Sequence, residues 1–189
     1  MKRDFINRTL NLLYNYIFIY TRLKKHGRNI RINRKSYYIN GLKYITIGND
    51  FTCSLGLWLE AIDSYEIYKY NPNLNIGNHV SIERNCHIGC IHKIVIGDNV
   101  LIGSNVLIED HSHGKTFDYS KFRRKLELVS NGDISIGNNV WICDNVVILA
   151  GAKIGNNCVI AANSVVNKEF PDNCLIGGVP AKIIKKINC

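Results

Sequence analysis

Two histidines separated by a single serine, in the run Asp110-His111-Ser112-His113-Gly114, are the side chains here best suited to moving a proton. Imidazole titrates near neutral pH, so either ring can take the proton of a hydroxyl or amine as that group attacks an electrophile. Such a ring needs a carboxylate or carbonyl to hold its orientation, and Glu109 and Asp110 adjoin it. Nucleophilic or metal chemistry by cysteine has less support. The seven cysteines (Cys53, Cys86, Cys90, Cys143, Cys158, Cys174, Cys189) are scattered and form no CxxC pair. Neither a zinc knuckle nor a redox motif is built from them, and reduced thiols are the expectation.

The elements that must position these groups are set by a repeat. Five blocks share one pattern: Ile47-Gly48-Asn49-Asp50-Phe51, Ile76-Gly77-Asn78-His79-Val80, Ile96-Gly97-Asp98-Asn99-Val100, Ile136-Gly137-Asn138-Asn139-Val140 and Ile154-Gly155-Asn156-Asn157-Cys158. A branched aliphatic recurs every six residues through Ile76, Ile82 and Ile88, through Ile96, Ile102 and Ile108, and from Ile136 to Val166. Six steps of a helix would turn a side chain far from its starting face, so the period excludes helix. It fits short strands joined by tight corners, with Gly, Asn and Asp at the turns. Three sides close one triangular coil in eighteen residues, the step from Ile136 to Ile154. Coils stacked about 4.8 Å apart then put one aliphatic above another. Asn99, Asn139 and Asn157 fall at one place in the coil and should share a corner conformation.

Three steps are longer. Ile76 to Ile96 has two residues more than one coil, near 90–95; Ile47 to Ile76 has eleven more; Ile96 to Ile136 has twenty-two more. The last surplus must leave the prism as a loop over roughly 114–133. Loops of that size in repeat folds often carry function, and the histidine pair stands at its start.

The repeat resembles that of the hexapeptide-repeat acyltransferases, and more narrowly the sugar and antibiotic O-acetyltransferases of the maltose, galactoside and nodulation type and the bacterial polysaccharide O-acetyltransferases. The resemblance spans about residues 40–187 and implies an all-β fold, a left-handed parallel β-helix. It also implies a homotrimer, acetyl-CoA as co-substrate without a metal, and a sugar or glycan hydroxyl as acceptor. In that family the catalytic histidine follows the valine of an IGxNV block by seven residues. That valine is Val106 here, which selects His113, with His111 as second choice. Trp141 would wall the acetyl and pantetheine channel, or else pack at the trimer seam. Asp144, Ala162, Asn167 and Lys168 match CoA contacts, and Gly178-Val179-Pro180-Ala181-Lys182 matches the terminal motif that places Lys182 and Lys185 near nucleotide phosphates. Cys143 and Asn167 depart from the commoner Gly and Thr. For the acceptor, the matching stretch is Glu83-Arg84-Asn85, with Glu83 and Asn85 as candidates.

Other readings of the same prism remain open. An amino-sugar N-acetyltransferase would use the same base. A metal hydratase resembling the gamma-class carbonic anhydrases would use histidines with the spacing of His87 and His92, although the two-residue surplus falls between them. A non-catalytic assembly subunit should lack the histidine-bearing loop and the lysine-rich end.

Charge divides the chain at about residue 35. Residues 1–35 hold ten Lys and Arg against the single acid Asp4, which accounts for the whole net charge of +9; the remainder is balanced. A neutral body argues against a nucleic-acid surface. The segment also contains an apolar run from Leu10 to Tyr20, too short to span a bilayer and without a small-residue cleavage site after it. We read residues 4–24 as a retained helix before a β-helix domain at 36–189. Either Leu12, Leu13, Ile17 and Phe18 cap the prism, or the helix lies on the cytoplasmic face of a membrane. A cytoplasmic enzyme is expected in both cases.

Overall fold

The computed structural model describes residues 9–36, 38–114 and 122–187, and the hexapeptide blocks wind through it as a left-handed triangular prism. Expectations for Lys2, Arg3, Asp4, Arg8 and Cys189, and for residues 115–121 of the long loop, lie outside the described residues. The first face stacks Lys25–His26, Ile45–Ile47, Asn73–Ile76, Lys93–Ile96, Ile134–Ile136, Lys153–Ile154 and Glu169–Phe170. A second face runs through Thr52–Cys53, Ser81–Ile82, Leu101–Ile102, Trp141–Ile142, Val159–Ile160 and Cys174–Gly178, and ends on the antiparallel strand Ala181–Lys186. The third carries Tyr38–Asn40, Trp58–Ala61, His87–Cys90, Leu107–Glu109, Val147–Leu149 and Val165–Val166.

The register follows the six-residue period. Ile76, Ile96, Ile136 and Ile154 pair in turn on the first face, Ile82, Ile102, Ile142 and Ile160 on the second, and Ile88, Ile108, Ile148 and Val166 on the third. All of them are buried. A strand alternates its side chains between two sides, so each short strand turns one of these aliphatics inward, and corner residues such as Val80, Val100, Val106, Val140 and Val146 fill the rest of the axis. Phe170 follows Ile154 after only sixteen residues and still stacks on it, a shortened coil that the regular period does not reveal. Cys86, Cys158 and Cys174 are buried in the core and act there as small apolar side chains. Burial pushes the Cys86 thiol up to about 11, and none of the six described cysteines forms a disulfide.

The corners obey the Asn expectation. Asn99, Asn139 and Asn157 adopt φ of 57°, 56° and 56°, the left-handed region that Asn enters more easily than most residues. Their carboxamides then bond one above another, Asn99 Nδ2 to Asn139 Oδ1 at 3.1 Å and Asn139 Nδ2 to Asn157 Oδ1 at 3.1 Å. Each polar corner thus satisfies its neighbour along the prism.

Two of the three surpluses become excursions from one edge, where the third face turns into the first. The eleven extra residues form a hairpin, Ser64–Tyr65 against Tyr68–Lys69, and the twenty-two enter the loop. The two-residue surplus is absorbed on the same edge around Ile91 and His92.

At the other end the helix spans residues 9–14 as α-helix and Asn15–Tyr20 as π-helix. It does cap the prism, but not through the residues expected. Leu12, Leu13, Ile17 and Phe18 are exposed, while Asn15 and Ile19 are buried. The reason is the open strand edge of the first coil. Asn15 bonds both backbone groups of Ile32, accepting from its N–H at 2.9 Å and donating to its carbonyl at 2.9 Å. The Tyr20 hydroxyl likewise accepts from the Ile30 N–H at 2.9 Å. Satisfying exposed β-edge amides outranks burying leucine at this place. The coil itself begins before residue 36: Lys25–His26 pairs with Thr46-Ile47, and Arg31 bridges Thr52.

Candidate active site

The edge that bears the hairpin and the loop also bears a buried acid–base pair. Asp110 is fully buried just after Leu107–Glu109. Its carboxylate accepts from the Ile91 N–H at 2.8 Å and the His92 N–H at 3.0 Å, the amides of the two-residue surplus. Its Oδ1 also lies 3.2 Å from His111 Nδ1. Burial works against the charged form of Asp110, but the His111 bond and the two amides outweigh it and hold the carboxyl below the usual carboxylate range. His111 Nε2 faces Glu109 Oε1 at 3.4 Å, and the His111 side chain is only 5% exposed. Gly89 makes the space: a Cβ there would stand 3.2 Å from His111 Cε1.

Both candidate orienting carboxylates thus engage His111, a choice between the two rings that the sequence left open. Both acids precede the loop on its strand, and the chain turns outward only after His111. His111 is built into the wall. His113 is exposed and is fixed by its backbone, since Ser112–His113 pairs antiparallel with Leu128–Val129. Its ring stands edge-on to Tyr65 of the hairpin, with centroids 5.3 Å apart. Tyr65 Oη donates to the Arg124 carbonyl, and the Leu128 N–H donates to Tyr70 Oη at 2.9 Å, so the hairpin braces the described part of the loop. Tyr65 and Tyr70 were not among the sequence candidates. The eleven-residue surplus that holds them was the available signal.

The remaining candidates fall on two separate parts of the prism. Trp141 is half exposed on the second face, in a row with Leu101 and Val159. Leu175 continues this row, and Lys185 pairs opposite Leu175 while Lys182 pairs opposite Gly177. Both lysines are exposed. Asp144 and Ala162 stand at the corner after that face; Asp144 Oδ1 accepts from the Ser104 N–H at 2.7 Å, and Ala162 is exposed. Asn167 and Lys168 are exposed on the edge of His113, two coils further along. In a triangular prism that edge lies opposite the second face. One chain thus holds the histidine and the tryptophan on opposite sides.

Glu83 is exposed and accepts from Ser54 Oγ at 3.1 Å. Asn85 is a left-handed corner residue with φ 56°, and its carboxamide bonds Asn105 at 3.3 Å. His87 Nε2 lies 3.2 Å from Glu60, and its ring stacks on Trp58. His92 Nδ1 instead lies 2.7 Å from Asp133. These two histidines engage different carboxylates and share no ligand set among the described residues.

Comparison with known proteins agrees with this architecture. The bacterial transferase hexapeptide family (six repeats) matches residues 133–168, and the hexapeptide repeat of succinyl-transferase matches residues 93–110. A putative lipopolysaccharide biosynthesis O-acetyl transferase of Escherichia coli K12, WbbJ, is 38% identical over 167 residues, covering 85% of this chain and 81% of the relative. The galactoside O-acetyltransferase of the same organism is 40% identical over 121 residues, covering 64% of this chain and 58% of the relative. Among solved structures, a hexapeptide-repeat acetyltransferase of Vibrio cholerae complexed with acetyl-coenzyme A has a TM-score of 0.60 and 28% identity. That match covers 97% of this chain and 82% of the other.

Proposed function

The chain belongs to the hexapeptide-repeat acetyltransferases and is an acetyl-CoA-dependent acyltransferase; we propose that it esterifies a sugar hydroxyl of a cell-envelope glycan in the cytoplasm, with His113 as general base. One observation carries this reading: of the two loop histidines, His113 alone presents its ring to solvent, at the root of the long loop. The relatives named above as O-acetyltransferases support an oxygen acceptor. In the proposed step His113 takes the hydroxyl proton while the oxygen attacks the thioester carbonyl. Collapse of the tetrahedral adduct breaks the C–S bond, and the histidine returns its proton to the departing CoA thiolate.

The test is product analysis. With acetyl-CoA and a panel of glycan acceptors, the transferred acetyl group should be released by mild alkali, as an ester is. An alkali-stable amide on an amino sugar would replace this reading with N-acetylation.

The proposed site lies between chains of a homotrimer. The edge with His113 and the face with Trp141 are on opposite sides of one prism, so they join only when a second chain packs alongside. Sedimentation at assay concentration should show a trimer. A monomer with full activity would remove the inter-chain site.

Lys182 and Lys185, at the foot of the Trp141 row, are assigned to the CoA phosphates, and Lys168, on the opposite edge, is assigned to them from the adjoining chain of the proposed trimer. Replacing the three by alanine should raise the KM for acetyl-CoA several-fold, since each lysine acts as a point charge on phosphate. The change should shrink with dephospho-CoA and leave the acceptor KM alone. A change confined to the acceptor KM refutes the assignment.

A further inference from the structure

The N-terminal helix faces the wrong way for a simple cap. Its buried side carries Asn15, 3% exposed, and Ile19; its outward side carries Leu10, Leu12, Leu13, Tyr16, Ile17 and Phe18, with Leu12 at 61% and Tyr16 at 70% exposure. On the inner side Asn15 and Tyr20 bond the first coil, Ile19 is buried in the core and Tyr14 packs against it. The cap therefore explains the inner residues and leaves the outer apolar row without a structural task. Exposed apolar rows of this size on a helix mark a binding surface.

The charge around the row says what it fits. Residues 9–36 contain seven Lys and Arg and no acid. Arg22 stands over the Phe18 ring at 5.5 Å, and Leu12 and Arg31 line the same cleft of about 530 Å³ between helix and first coil. Asp63, which lines a cleft with Arg22, is paired with Lys43 at 2.9 Å, and Asp50 accepts from the neutral Asn29 carboxamide at 2.8 Å. Apolar side chains set beside Arg22, Lys24, Lys25, Arg28 and Arg31, which form no ion pair among the described residues, match a surface that is apolar beneath and anionic above. No helix among the described residues is long and apolar enough to cross a membrane, so this one would lie along it.

We propose that the outward face of this helix, with the basic turns that follow it, docks the enzyme end-on onto an anionic phospholipid bilayer. The end of the prism is used and its flat faces stay free. In the proposed trimer, with prism axes parallel, three such helices point the same way and their weak contacts add as avidity. This proposal extends the reading of a glycan acceptor, because it would bring the site to lipid-linked precursors. Its test does not depend on catalysis.

Full-length protein is sedimented with phosphatidylcholine vesicles, with or without about 30% phosphatidylglycerol, at low salt and at roughly 0.5 M salt. Binding to the anionic vesicles at low salt, lost at high salt and absent from neutral vesicles, is expected. Leu13→Ser with Tyr16→Ser, and separately Arg28→Gln with Arg31→Gln, should each weaken binding by roughly tenfold. Both pairs are exposed, so thermal unfolding should be unchanged. No binding at any salt overturns the proposal. So does binding that the Leu13 and Tyr16 changes leave intact, which would be charge attraction alone. If those two changes instead alter the sedimentation coefficient without lipid, the face belongs to a second copy of the chain and the membrane assignment fails. Failure to find the sugar acceptor would leave the vesicle result standing.

Discussion

Replacing His113 by alanine should lower kcat by roughly two to four orders of magnitude, the usual contribution of a positioned general base, while the KM for acetyl-CoA changes little. The two loop histidines make the experiment discriminating. His111 has the carboxylate partners commonly sought beside a catalytic imidazole, but its side chain is enclosed between Asp110, Glu109 and Gly89. His113 has access and, among the described residues, no carboxylate partner. If access decides, His113→Ala is inactive and folded, and His111→Ala loses stability before it loses turnover. An active His113→Ala together with a folded, inactive His111→Ala would transfer the base to the buried ring. A fall in kcat and kcat/KM by the same factor is the signature of a group that acts in the transition state.

Asp110→Ala should cost about 3 kcal/mol or more, because it strips acceptors from the Ile91 and His92 amides and a partner from His111. At this chain length each kcal/mol moves the midpoint by roughly 2–4 °C, so a drop on the order of 10 °C is expected in thermal unfolding. Asp110→Asn should fall between, since its one carbonyl oxygen cannot accept from both amides at full strength. The pH dependence follows from the depressed carboxyl of Asp110. A carboxylate with a folded pKa below its unfolded value stabilises fully above about pH 4 and loses that contribution as pH falls through the folded value. The stability gap between wild type and Asp110→Asn should accordingly be constant from about pH 5 upward and close below about pH 4. A gap that widens in acid would show that the carboxylate is not the stabilising form. Loss of activity in Asp110→Ala would then reflect an unmoored loop root, and low temperature should restore part of it.

How much of this was legible beforehand depends on the range of the interaction. The six-residue period is local: each corner is made by its own Asn or Gly, and each inward Ile is chosen by strand alternation. Stacking then follows without further instruction, which is why the pairing of Ile76, Ile96, Ile136 and Ile154 could be read from spacing. The two large surpluses became excursions, because that many residues in excess of eighteen cannot stay within a coil, while the two-residue surplus was taken up at the same edge.

What the tertiary structure alone decided were choices between equivalent local options. Asp110 and Glu109 adjoin both histidines in sequence, and only the outward turn after His111 assigns both carboxylates to that ring. Tyr65 meets His113 across almost fifty residues, because the hairpin and the loop leave one edge of the prism. The helix was visible as an apolar run, yet its orientation was set by Ile30 and Ile32, whose unpaired edge amides drew in Tyr20 and Asn15 and turned the leucines outward. Composition records which side chains are apolar. Which of them must yield to a backbone hydrogen bond is settled only where the first coil ends.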